Sequence, residues 1–349
     1  MAAPVWTASL VLLAAACGDN LARPDAAPAV DAPMVDTPPD ADPLATLAGT
    51  GLCSDRACMQ INPGIREYAP RASFWDDMAT KRRWIYLPPG TKIDTSDMEH
   101  WVFPVGTKIW KEFTRDTTRV ETRLIMKTLP DDEAPGAWFY ATYQWNATED
   151  GAMSVTDGVR NANGTQHDIP STSDCRACHE RLRPSRVLGF EAIQLDRDAA
   201  ANLLDLQDLI DADLLTVKPT GASPYFPLPG TTVDTDALIY FHANCGHCHN
   251  PSSDVHDVTP VDLRLRTSML GTVAMTPTYT TSVDKATSLT YMENGVNYTK
   301  VIASHDPDHS AVIGRMSSMM QLAFMPNVAV ESVDPAGQTA LLAWINSLP

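Results

Sequence analysis

The chain has little positive charge, few aromatic side chains and no apolar run long enough to cross a bilayer as a helix. Lys and Arg number 26 against 43 Asp and Glu, a formal charge of −17. Phosphate backbones and anionic bilayers repel such a chain, so nucleic acid is excluded as a partner. The longest apolar stretch, Trp6 to Ala16, falls short of the ~20 residues of a spanning helix, which sets multispanning membrane proteins aside. What is present fits a soluble globular protein: 44% hydrophobic and 7% aromatic residues, over 349 residues that allow two folded units plus extensions.

The apolar run Trp6 to Ala16 has the size of a signal-peptide core and closes on small residues and Cys17. That junction resembles a bacterial lipobox, although Ala14 stands where a branched residue is usual and no basic residue precedes the run. The resemblance implies that residues 1–17 form a signal peptide with lipobox and that Cys17 receives lipid, anchoring an exported protein to a membrane in the periplasm or at the cell surface. Residues 18–50 are mostly Ala, Asp and Pro. Proline at that density blocks helix and the aspartates repel one another, so a disordered, extended tether is expected.

Residues 51–168 read as an antiparallel β-rich domain. Runs such as RRWIYL, HWVFP, RVETRLIMKTL and AWFYATYQW are separated by Pro, Gly and Asp turns. The echo of Pro88–Ile93 in Pro104–Ile109, a turn leading into a strand each time, supports a sandwich or barrel-like sheet. Trp84, Trp101, Trp110, Trp138 and Trp145 serve as core in this reading, with a ligand groove as the alternative.

The chemistry lies further on. Cys175-Arg-Ala-Cys178-His179 and Cys245-Gly-His-Cys248-His249 both match C-x-x-C-H, the attachment signature of haem c. Two cysteines at that spacing reach the two vinyl groups on one porphyrin edge, and the adjacent histidine binds the iron axially. Chance would supply about 0.004 such pentapeptides at this composition, so two are a strong signal. A zinc site built from two C-x-x-C pairs usually separates them by about 15 to 20 residues, much less than the gap from Cys178 to Cys245. A thioredoxin-like motif needs a βαβ setting that neither pentapeptide has. The remaining pair, Cys53 and Cys58, is spaced to close a small disulfide loop in an oxidising compartment.

Residues 169–232 form a first haem segment, with an amphipathic helix of Leu203, Leu204, Leu206, Leu209 and Ile210 to cover the porphyrin. No methionine occurs between Ser154 and Ser268. The sixth ligand of the first iron is therefore open among His167, His242, Met269, Met275 and none. In residues 233–349, Asp234 heads a helix that runs into Cys245, and Asp334-Pro335 heads a terminal helix with Leu341, Leu342, Trp344, Ile345 and Leu348 on one face. The order of motif, serine-led helix (310–320), Met325-Pro326 and terminal helix resembles small bacterial cytochromes c. That likeness implies a sixth ligand for the second iron at Met325, with Met316, Met319 and Met320 as its rivals, and a mainly α-helical cytochrome c-like domain.

From about Tyr68 onward the chain is similar to an uncharacterised family of bacterial dihaem c-type proteins. Shared strings include Phe103 to Phe113, Glu121 to Leu124, Leu188-Gly189-Phe190 and Asn244 to His249. The expected fold is thus α+β, a β-rich antiparallel N-terminal domain followed by a mainly α-helical haem domain with two covalently bound haem c. The expected function is extracytoplasmic single-electron transfer with redox partners that carry a basic docking patch. Two other readings stay open: a peroxidase-like haem enzyme with an open first iron, and a binding module with a redox relay.

Overall fold

The computed structural model describes residues 42–181, 186–320, 323–326 and 330–349; Cys17 and most of the tether lie outside them. Six strands form one antiparallel meander: β1 (Ile65–Tyr68), β2 (Thr80–Tyr86), β3 (Lys108–Arg115), β4 (Thr118–Lys127), β5 (Trp138–Trp145) and β6 (Ala152–Val155). It is a single open sheet rather than a sandwich or barrel. The HWVFP run contributes only the isolated bridge of Val102 to Asp94.

Alternation along these strands gives the sheet two unlike faces. One face buries Trp84, Trp110, Leu124, Ala141, Tyr143 and Trp145 under Leu47, Leu52 and Cys53. Residues 42–50, assigned above to the tether, are therefore packed: Leu47 is 1% exposed and its N–H bonds the Ala152 carbonyl. The opposite face is apolar along Ile85, Ile109 and Tyr140, which pack with Phe190, Leu204, Leu206 and Leu209. Two residues along each strand the same face turns charged, at Arg83, Lys111 and Arg123. All five tryptophans named above are buried, so they build core and not a groove.

The chain then runs through α1 (Thr172–Arg181), α2 (Ala192–Leu195), α3 (Leu206–Asp211), α4 (Thr232–Asn244) and α5 (Pro277–Ser282), the hairpin β7 (Ala286–Glu293) and β8 (Val296–Lys300), α6 (Ala311–Met316) and α7 (Pro335–Ser347). A mainly α-helical C-terminal domain is not what forms. The molecule is β-rich with small helices, 25% helical over the described residues. The reason is local. The segment 276–300 is crowded with Thr, Tyr and Val, which favour strand, and Asn294-Gly295 turns the hairpin with φ of 50° and 82°. The serine-led helix also ends early, at Met316. α4 and α7 do pack together, through Leu238, Phe241, Leu341, Trp344 and Ile345. Among the described residues no helix is long and apolar enough to cross a membrane.

Candidate functional site

The first cysteine pair sits on α1, whose start is held by Ser171 and Asp174: the Ser171 N–H donates to Asp174 Oδ2 at 2.9 Å and the Asp174 N–H to Ser171 Oγ at 3.3 Å. The helix lies against β5, and Cys175 packs into the core beneath it. At its other end Arg186 is 7% exposed and donates to the carbonyls of His179, Glu180 and Asp132 and to Glu133 Oε1. A cation on the last carbonyls of a helix answers its negative end. The Arg186 carbonyl in turn accepts from His179 Nδ1 at 2.6 Å. That bond places the proton on Nδ1 and leaves Nε2 with its lone pair, the form that binds a metal. Burial, with Lys111, Arg123 and Arg186 nearby, lowers the His179 pKa to about 4.

The second motif caps α4. Thr231 and Asp234 close a reciprocal capping box at the start of that helix, and Cys245 ends it. The loop that follows is tight: a Cβ on Gly246 would stand 2.9 Å from both Arg264 Cα and the His242 carbonyl oxygen. Asn250 knits it by donating to the carbonyls of Gly246 and His247 at 2.9 and 3.0 Å. Burial and then Arg315 lower the His249 pKa to about 4, and its buried Nδ1 has no hydrogen-bond partner among the described residues. Met325 stands near the same arginine, its N–H donating to the Arg315 carbonyl at 3.0 Å.

None of Cys175, Cys178, Cys245 and Cys248 is disulfide-bonded. Burial raises the Cys175 pKa and pushes Cys245 up to about 12. With no metal bound, these surroundings favour the neutral thiol at both positions. Among the described residues no three His, Cys, Asp or Glu side chains gather as a metal-ion site. A porphyrin asks less of each cluster, two thioether sulfurs and one imidazole, and the neutral imidazoles of His179 and His249 fit that demand. Cys53 and Cys58 are joined as a disulfide with Cα atoms 5.0 Å apart.

His242 and His167 are engaged elsewhere. His242 Nε2 meets Glu191 at 2.8 Å while its Nδ1 accepts the Leu265 N–H at 3.1 Å, and Arg264 binds the second Glu191 oxygen at 2.6 Å. His167 Nε2 meets Glu121 at 2.7 Å, and Glu121 is also gripped by Arg123. Both histidines named as sixth ligands of the first iron are thus held by carboxylates, the buried Glu121 and the partly buried Glu191. Met269 ends a 3-10 turn and Met275 is 49% exposed. Among the rivals of Met325, Met316 is buried in the core of α4 and α7, while Met319 and Met320 are exposed.

The two motifs share one side of the molecule. The Phe74 ring lies 5.1 Å from His247, and the imidazoles of His249 and His179 both act on His247. Arg83, Lys111, Arg186 and Asn250 escape a motif search. Arg83 and Lys111 have a signal in the charge set beside tryptophan in the strand strings KRRWIY and KIWKEF, whereas Arg186 and Asn250 have none. Comparison with protein-family models, with curated proteins and with solved structures finds no match.

Proposed function

We propose that the chain is an exported dihaem c-type electron-transfer protein, of the kind its strings resemble. The observation that supports this best is the repetition of one arrangement: two C-x-x-C-H pentapeptides, each at a helix and each carrying a histidine kept neutral by burial. Cys175 and Cys178 would hold one haem and Cys245 and Cys248 the other, with His179 and His249 as axial ligands and Met325 as the sixth ligand of the second iron. Bound there, each haem would supply a one-electron iron couple. The chain's own contribution is to orient and exclude. The Arg186 carbonyl fixes the His179 ring and raises its basicity as a ligand. Asn250 and Gly246 hold the second loop against Arg264. An acidic surface steers the protein to a partner with a basic patch, and lipid on Cys17 would keep it at a membrane.

The test is to express the chain with its leader in a host that matures c-type cytochromes and to map the peptides. Haem mass on both cysteine pairs is expected; unmodified thiols at either pair would defeat the reading. A second reading, with substrate binding at an open first iron, is favoured by the engagement of His167 and His242 with Glu121 and Glu191. It predicts that the reduced protein takes up one carbon monoxide per chain, whereas no uptake leaves electron transfer alone.

A further inference from the structure

The charged half of the sheet face that meets α1 carries more positive charge than its carboxylates answer. Register aligns Arg83 with Lys111, Lys111 with Arg123, and Arg123 with Thr142 across β2 to β5. Arg123 is gripped by both oxygens of Glu121, and Lys81 is paired with Asp76. Arg83 and Lys111 are not so served. Arg83 is 6% exposed, yet its side chain makes one hydrogen bond, 3.4 Å to Ser73 Oγ, and no ion pair among the described residues. Lys111, whose side chain is 27% exposed, shares Asp76 with Lys81 at 3.8 Å and lies over the Phe113 ring at 4.4 Å. Two strands across from Lys111 on the same face, Tyr140 of β5 is 4% exposed and its hydroxyl has no partner among the described residues. Burying a cation without its own counter-ion, as at Arg83, is costly, and this happens in a chain with a net charge of −17.

The row also has a telling position. At one end the Tyr140 ring lies 5.7 Å from His179, and Cys175 packs in the same core as Tyr140. At the other end the loop of Ser73 to Asp76 touches the second motif, through Phe74 on His247 and the Trp75 N–H donated to Asn244 Oδ1 at 2.7 Å. We infer that Arg83, Lys111 and Tyr140 form the seat for the two propionate carboxylates of the haem at Cys175 and Cys178. The inference rests on the haem reading above and assigns positioning residues on the sheet, so the sheet becomes one wall of the first haem site. Lys81, Arg83, Lys111 and Arg123 set against Asp76 and Glu121 leave two positive charges, which match two carboxylates, and the Tyr140 hydroxyl supplies a further donor. A small free anion such as phosphate offers similar chemistry, and the test separates the two.

The matured full-length protein is titrated potentiometrically beside Arg83→Gln and Tyr140→Phe. Removing a cation or a donor from a propionate leaves more negative charge near the iron, which stabilises its oxidised form. Arg83→Gln is expected to lower the midpoint of one haem by about 59 mV or more, a tenfold change in its oxidised-to-reduced ratio, with the other haem unmoved. Tyr140→Phe lowers the same midpoint by less, and Arg83→Lys restores most of the loss. If Arg83→Gln does not fold, Tyr140→Phe, which removes only an unpartnered hydroxyl, decides. Unmoved midpoints in a protein with two haems overturn the seat and leave the haem reading standing, whereas wild-type protein without haem sinks both. Thermal protection of the wild type by inorganic phosphate that Arg83→Gln abolishes, with midpoints unmoved, identifies a free-anion site and also overturns the seat.

Discussion

Two carboxylates, the buried Glu121 and the partly buried Glu191, fix His167 and His242. Burial pushes Glu191 up, but Arg264 and His242 outweigh it and bring its pKa down to about 2 from an ordinary 4.5. A carboxyl held low in the folded state adds stability that is complete above about pH 4.5 and lost as pH falls toward 2. Denaturant unfolding followed over that range should show stability falling with acid, and Glu191→Gln should flatten that part of the curve. The same substitution leaves Arg264 buried without its carboxylate and should cost about 3–5 kcal/mol at neutral pH by urea denaturation. Met325 is tied to Arg315, whose charge reaches His249. Met325→Ala is therefore expected to remove the weak sulfur-to-iron band at the red end of the oxidised spectrum, and an unchanged band would assign the sixth ligand elsewhere.

Among the elements, those whose pattern is purely local were legible in the sequence. Alternation of Trp84, Trp110 and Trp145 with polar neighbours marks the central strands, and Asp334-Pro335 marks the start of α7, where the Asp334 side chain accepts the Ala336 and Gly337 N–H groups. The C-terminal hairpin was equally local, in Tyr291 to Tyr298 around Asn294-Gly295, but a likeness built on the motif and Met325-Pro326 led to helices there. Gly295→Val tests the hairpin's dependence on its turn. Open space surrounds that position, so the expected cost of about 1–2 kcal/mol is conformational alone. Packing between elements was not legible. Gly337 lets α7 approach α4 so closely that an added Cβ would stand 2.1 Å from Tyr240, which only the assembled pair reveals. Gly337→Ala should cost about 1–3 kcal/mol through overpacking, read as a lower urea midpoint.

For the molecule as a whole, both cysteine motifs, their histidines and the antiparallel strands could be read from the chain, because each is a short pattern with one physical cause, whereas the sandwich or barrel expected of those strands gives way to one open sheet. What brings the motifs to one side could not. The pairing of Arg83 with Lys111 depends on strands far apart in sequence, and the grip of Arg186 on the end of α1 depends on where the loop at Asp132 folds. A net charge of −17 makes the whole surface a weak electrostatic guide, so electron exchange with a basic partner should slow as salt rises beyond the ~8 Å screening length of physiological buffer. All of this depends on haem being attached twice. The pyridine haemochrome assay on matured protein, set against protein concentration, tests that most directly: the account predicts two haems per chain, and a colourless protein, or one holding zinc at the same cysteines, contradicts it.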